Sequence, residues 1–123
     1  MSDIKKTAEA AGLIYLDRKG LNPKPTNPHK DPGIPDFKCS KKRWAEIKTL
    51  DSNGAIILHA HQLRRWKELI ENKETVYLII SINGVLSKIL DVSKISFSEF
   101  MDEIISLGYD DTYGVDVWQD QKQ

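Results

Sequence analysis

The sequence predicts an α/β or α+β domain in which a mixed β-sheet is flanked by helices. An uninterrupted apolar run at residues 76–80 is typical of a central strand that is covered on both faces. Apolar residues at helical spacing between residues 58 and 72 predict an amphipathic helix before that strand. The Asn83-Gly84 pair is a strong hairpin signal, so a returning strand is predicted at residues 85–92.

The first part of the chain is predicted to contain a short helix, a long loop and a pair of strands. Residues 3–11 favour a helix that ends at Gly12, followed by an extended segment at residues 13–16. Residues 18–33 hold four of the five prolines and few apolar side chains, which predicts a long irregular loop. Such a loop could contact a ligand or could simply be a tolerated excursion. Two short strands, residues 34–39 and 43–50, are then predicted to pair across a polar turn.

The remaining segments complete the predicted order of elements. A turn is expected at residues 51–54, and a final helix at residues 98–107 is expected to end at Gly108. The tail after this helix is acidic and rich in turn-forming residues, and the sequence contains no internal repeat. The predicted order is therefore helix, strand pair, helix, strand pair, helix.

Length and composition indicate one ordinary globular domain spanning residues 1–123. The 123 residues are 40% hydrophobic and 29% charged, values that fit a single core. No apolar run approaches the roughly 20 residues that span a bilayer, and the N-terminus lacks a signal-peptide core. Cys39 is the only cysteine, which excludes an intrachain disulfide and favours a strand residue over a reactive thiol. We therefore expect a cytoplasmic protein with no membrane partner.

Charge is balanced overall but divided unevenly along the chain. Residues 1–73 contain 15 Lys and Arg against 9 Asp and Glu, whereas residues 74–123 contain 3 against 9. A basic half is expected of a protein that meets a polyanion, although an uneven solvated surface explains the counts equally well. The sequence pI of about 6.8 argues against a protein that coats nucleic acid non-specifically.

Two acids and a lysine stand where the predicted strand pair would bring them together. Side chains alternate faces along a strand, so Glu46 and Lys48 point to the same face. A tight turn between the strands would place Asp36 beside Glu46. Hard carboxylate ligands beside a cation can hold a divalent metal and stabilise charge on a phosphate. The alternative is an ordinary surface salt bridge between Lys48 and either acid.

These residues resemble the signature of the PD-(D/E)xK, or restriction-endonuclease-like, nuclease superfamily. Pro35-Asp36 matches its first element, Glu46-Ile47-Lys48 its second, and Gln62 its following helix. With Trp66 and Leu69 included, the pattern most resembles the VRR-NUC branch, and Holliday-junction resolvases are similar in size and layout. The resemblance covers about residues 4–92 and implies a restriction-endonuclease-like core.

The resemblance implies a Mg²⁺-dependent DNA endonuclease, with Mn²⁺ able to substitute and no small-molecule cofactor. The catalytic residues that it implies are Asp36, Glu46, Lys48 and Gln62. The metal ligands that it implies are Asp36, Glu46, the backbone carbonyl of Ile47 and, as a weaker candidate, Glu9 of the first helix. Basic side chains that could contact phosphates are Lys41, Lys42, Arg43, Arg64, Arg65 and Lys67.

Each of the weaker candidates has an ordinary structural reading. Glu9 could be a solvated helix acid, and Gln62 could be a glutamine at the edge of the core. His59 and His61 are predicted to lie on different faces of a helix, so we do not expect them to bind a metal. His29 is expected to be a solvated loop residue.

The substrate expected is structured DNA, such as a four-way junction or a flap, because the chain shows no separate sequence-reading motif. Symmetric cleavage of two strands would require a homodimer, with residues 76–82 or the last helix as the contact surface. Two alternatives remain open. One is a non-catalytic module that binds nucleic acid or protein, and the other is a restriction-type nuclease that cuts linear duplex.

Overall fold

Five strands form one mixed sheet with a helix on each face, as the computed structural model shows for residues 2–49, 58–82, 85–96, 99 and 102. The general α/β class predicted from sequence is confirmed. In chain order the elements are α1 (Ser2–Arg18), β1 (Lys24–Pro25), β2 (Phe37–Cys39), β3 (Arg43–Thr49), α2 (Ala60–Glu71), β4 (Thr75–Ile82), β5 (Val85–Asp91) and a 3₁₀ turn (Val92–Lys94).

Spatial order in the sheet follows the chain, β1-β2-β3-β4-β5. The β3 and β4 strands are parallel, with Glu46 opposite Leu78, and every other neighbouring pair is antiparallel. Because β4 is paired on both edges and Leu78 and Ile79 are fully buried, the predicted central strand is confirmed. One of the two surfaces considered for a homodimer, residues 76–82, is therefore buried inside the protomer and is not available for that contact.

Two apolar cores lie on opposite faces of the sheet. On one side, which we call the α2 face, Leu63, Trp66 and Leu69 of α2 pack against Trp44 and Leu78. On the other side, the α1 face, the α1 residues Ala8 and Leu16 pack with Phe37, Ala45, Ile47 and Ile79. Strand alternation places Glu46 and Lys48 on the α2 face, together with Trp44.

The first helix is longer than the sequence predicted. The helix was expected to end at Gly12 and to give way to an extended segment, but α1 continues without a break to Arg18. Gly12 lies in the buried middle of the helix, where an added Cβ would collide with the side chain of Ile47. The glycine therefore permits close packing of α1 on β3 and does not end the helix, because the tertiary contact outweighs its low helix propensity.

The proline-rich loop is irregular, as predicted, but it also supplies the edge strand β1. Lys24 pairs with Lys38 and Pro25 with Phe37. The Thr26 backbone N–H then donates to the Asp36 carbonyl at 3.0 Å, which ties the loop to the residue before β2. Proline is tolerated at this position because β1 is an edge strand and needs no second ladder.

The remaining predicted elements are either confirmed by the structure or lie outside the described residues. The β2–β3 hairpin is confirmed, and its turn holds Lys41 and Lys42 at φ +59°. Strands β4 and β5 pair up to Ile82 and Val85, while the predicted turns at residues 51–54 and at Asn83-Gly84 lie outside the described part of the chain. Of the predicted helix at residues 98–107 only residues 99 and 102 are described, and the acidic tail is not.

An N-terminal capping signal precedes that last helix. The Ser96 hydroxyl accepts from the Glu99 N–H at 3.1 Å, and the Glu99 carboxylate accepts from the Ser96 N–H at 3.0 Å. This reciprocal pair is the capping box that marks a helix start. Within the described helices, none is long and apolar enough to cross a membrane.

Gly33 is the glycine whose replacement should damage the fold most clearly. It adopts φ +85°, and an added Cβ would collide with the backbone carbonyl of His61. Gly33→Ala should therefore lower the free energy of unfolding by about 2–4 kcal/mol, as strain at positive φ adds to overpacking. Gly20→Ala is the matched control, because Gly20 has φ +73° but no atom within 4 Å of an added Cβ. Equal losses in urea denaturation for the two variants would contradict this packing.

Candidate functional site

Glu46 and Lys48 project from β3 into a largely covered position on the α2 face. The Glu46 residue is 4% exposed, and its Oε2 lies 3.9 Å from the Lys48 ammonium. A carboxylate at this depth requires hydrogen-bonding partners, because a buried charge without them is costly. Because Glu46 is buried, the pair differs from the surface salt bridge that was the alternative interpretation of the sequence.

Gln62 of α2 supplies one such partner, to the Oε2 atom of Glu46. Its Nε2 donates to Glu46 Oε2 at 3.2 Å, and its Oε1 accepts from Lys48 Nζ at 3.0 Å. The same Oε1 also accepts from the His59 backbone N–H at 3.2 Å. The amide thus bridges an acid and a base through groups of matching polarity. The helical spacing predicted that Gln62 points inward, and the structure shows this orientation with Lys48 as a partner. The catalytic role of Gln62 stays a prediction.

Asp36 reaches the same place from the other strand of the hairpin. It lies just before β2, and its Oδ2 accepts from the backbone N–H of Ile47 at 2.9 Å. Because Phe37 is paired with Ala45, continuing the register places Asp36 opposite Glu46 and on the same face. The fold therefore gathers Asp36, Glu46, Lys48 and Gln62 on the α2 face at one point of β3.

Glu9 does not join this group. Among the described residues, no group of three or more His, Cys, Asp and Glu side chains is placed to hold a metal ion. The helix that carries Glu9 packs on the α1 face, where Gly12 touches Ile47. The body of α1 therefore packs on the face of the sheet opposite to the side chains of Glu46 and Lys48, and a metal-binding role for Glu9 stays a prediction.

The donors that are present suit a hard cation. Asp36 and Glu46 offer carboxylates, and the Ile47 backbone lies beside Asp36. Mg²⁺ is usually bound through one or two carboxylates and keeps water or substrate oxygens at its other positions. The two carboxylates, one on β3 and one just before β2, are therefore compatible with Mg²⁺.

The basic residues expected to contact phosphates are distributed over three regions. Lys41 and Lys42 are exposed on the β2–β3 turn, and Arg43 lines a small pocket on the α1 face. Arg64 is exposed and Lys67 is half-buried on α2. The structure thus does not gather these side chains into one patch.

Arg65 forms ion pairs with other residues of the protein. Its guanidinium bonds Asp31 of the loop with Nη2 to Oδ2 at 3.1 Å and Glu68 of α2 with Nη1 to Oε1 at 3.0 Å. These partners, the hydrogen bond to Asp31 first, raise the pKa of Arg65 above its ordinary value. Arg65 therefore fastens the loop to α2, and a phosphate would have to displace two carboxylates to reach it.

His59 is a neighbour of the site that sequence reasoning missed. The two histidines were expected on different faces of a helix, but His59 precedes α2 in an extended conformation. Its ring consequently stacks on His61, with centroids 5.6 Å apart. His59 is exposed, and partial desolvation, then the positive charge of Lys48 and then His61 lower its pKa below 6.5. The sequence offered one signal for this position, which is a histidine just before the start of a helix.

Cys39 is buried in β2, on the α1 face. Burial raises the pKa of its thiol, with Arg43 acting weakly in the opposite direction. The neutral thiol is thus favoured, which agrees with a structural cysteine.

Comparison with known proteins found no match: no protein-family model, no curated protein and no solved structure is similar to this chain.

The bridge through Gln62 predicts energetic coupling between Glu46 and Lys48. Lys48→Met should lower the free energy of unfolding by about 1–3 kcal/mol, because it leaves a buried carboxylate without its cation. Glu46→Gln together with Lys48→Met should cost less than the sum of the two single changes. Urea denaturation of the four proteins measures this coupling, and additive losses would show that the two charges do not interact.

His59 offers a test of the same geometry by NMR. Its imidazole should titrate below 6.5, and Lys48→Met should raise that pKa by removing a nearby positive charge. The folded protein then binds this proton less readily than the unfolded chain. The stabilising effect of neutral His59 is therefore complete above pH 6.5 and is lost as the pH falls toward the lowered pKa. A His59 pKa that does not respond to Lys48→Met would contradict their proximity.

Proposed function

We propose that this protein is a metal-dependent DNA endonuclease of the PD-(D/E)xK type that hydrolyses phosphodiester bonds. One observation carries the proposal: Gln62 bridges the Glu46 carboxylate and the Lys48 ammonium at the point where the Asp36 carboxylate binds the Ile47 N–H. A site that brings these groups together has the residue types of the motif, and this supports the proposal.

The order of the strands supports a restriction-endonuclease-like core. An antiparallel hairpin carries the two acidic elements, and its second strand continues through a helix into a parallel neighbour. This arrangement sets the start of α2 over β3, where the side chain of Gln62 reaches Glu46. Fold alone does not assign an activity, so the proposal depends on the site.

Each residue of the site has a separate chemical task. Asp36, Glu46 and the carbonyl of Ile47 would hold Mg²⁺, or Mn²⁺ in its place. Such an ion, when bound, makes a coordinated water more acidic and offsets charge on the phosphate. Lys48 orients the attacking water or neutralises charge that grows on the phosphate oxygens. Gln62 is a positioning residue, because its amide oxygen holds the Lys48 ammonium at 3.0 Å.

We propose structured DNA, a junction or flap, as the substrate, and a homodimer as the acting form. An isologous dimer would present two sites to two strands. With β4 buried, the contact surface would have to come from another part of the chain, such as the last helix.

The second candidate is a nuclease-like module that binds nucleic acid without cutting it. The engagement of Glu46 Oε2 by Gln62 favours this reading, since that carboxylate oxygen already accepts a hydrogen bond from the protein. Buried networks of this kind also serve structure alone. The two candidates differ in one property, which is metal-dependent turnover.

Cleavage of labelled DNA separates the candidates. The wild type should cut a junction or flap in Mg²⁺ and not in EDTA. Asp36→Ala and Lys48→Ala should each reduce the rate by about 10²–10³-fold, the scale seen when one electrostatic contact to the transition state is removed. Lys19→Ala, on the α1 side of the sheet, is the control and should retain the wild-type rate. Metal-independent activity, or activity equal in all variants, would contradict the mechanism.

A panel of substrates tests the preference. The wild type should cut junctions and flaps faster than linear duplex or single strands of the same sequence. A sequence-dependent cutter of linear duplex would indicate the restriction-type alternative and leave the chemistry unchanged.

A further inference from the structure

An open groove of about 600 Å³ lies beside the site, between the proline-rich loop and the β1–β2 edge of the sheet. Pro25, Ile34 and Trp44 contribute apolar surface to it. Three lysines, Lys24, Lys30 and Lys38, also line it, together with the amides Asn22 and Asn27. The volume is in the range of pockets that hold small organic ligands. Its lining therefore combines apolar surface with amide groups and cations.

Among the described residues, no carboxylate forms an ion pair with the lysines of the groove. The Lys38 ammonium lies 5.2 Å from the centre of the Trp44 ring. The one acid in the lining, Asp31, is already paired with Arg65. Cations gathered without partners favour an anionic ligand.

The strand register connects this groove to the site. Lys24 is opposite Lys38, and Lys38 is opposite Trp44, so these three side chains share one face of the sheet. Trp44 precedes Glu46 by two residues on β3, and Lys38 follows Asp36 by two. Two residues along a strand span about 7 Å. The groove thus begins one such step from the two carboxylates, on the same α2 face.

We propose that the groove binds an unpaired stretch of DNA next to the position that is cut. A base would lie against the apolar surface and bond the amides, while the lysines would bind the flanking phosphates. Single-stranded DNA has both components, since its bases are exposed and its backbone is anionic. A paired duplex would present only its backbone to this groove. The inference rests on the proposed function and narrows its substrate to DNA with an unpaired segment, such as a flap.

Equilibrium binding tests the groove without requiring cleavage. A labelled blunt duplex and the same duplex with an unpaired thymidine extension, on either strand, are titrated in EDTA over a series of salt concentrations. The wild type should bind the extended duplex about tenfold more tightly, the scale of one base stacked on a protein surface. Lys24→Ala combined with Lys30→Ala should abolish this preference. It should also lower the slope of log affinity against log salt by about 1.4, or 0.7 for each lost contact to a single strand.

Lys19→Ala removes a cation from the α1 side of the sheet and is the matched control, which should keep both the preference and the slope. Thermal unfolding by circular dichroism checks that the exposed Lys24 and Lys30 positions tolerate alanine. If the paired variant folds and still prefers the extended duplex, or if the wild type shows no preference, the groove proposal is overturned even when the protein cuts DNA. If the preference is lost in the paired variant but no DNA is ever cut, the groove stands and the nuclease proposal falls.

Discussion

The amide of Gln62 is the interaction on which the arrangement of the site depends. It joins α2 to β3 through two hydrogen bonds of opposite polarity, one to a carboxylate and one to an ammonium. The surrounding α2 face is apolar, with Leu63 and Trp66 fully buried nearby. A buried carboxylate is costly in such surroundings, and each hydrogen bond that it accepts lowers that cost. The helix must therefore dock in one register.

That register also fixes the loop that precedes the hairpin. Gly33 passes so close to the His61 carbonyl that a side chain would not fit, and Arg65 bonds Asp31 from the next turn of α2. On its other side the loop is held by the bond from Thr26 to the Asp36 carbonyl. The loop thus connects α2 to the residue that carries the first acid of the site. A segment that looks irregular in sequence is restrained by specific contacts in the fold.

The cations of the structure differ in whether a carboxylate of the protein neutralises them. Counting charges along the sequence identifies a basic half but does not distinguish paired from unpaired side chains. In the structure Arg65 is neutralised by carboxylates, whereas no carboxylate of the described residues pairs with the groove lysines. Charge that is available to a ligand therefore lies beside the two carboxylates, where a polyanion would meet both.

Apolar periodicity and turn residues were sufficient to predict β4, α2 and the β2–β3 hairpin, because these signals act over a few neighbouring positions. Spacing and alternation also placed Glu46, Lys48 and Gln62 correctly on inward faces. The contacts between segments that are distant in sequence could be established only from the fold. Packing on Ile47 carried α1 past Gly12, on the face of the sheet opposite to Glu46. Strand register brought Lys24 and Lys38 into one groove, since neighbours across a sheet are set by pairing and not by sequence distance.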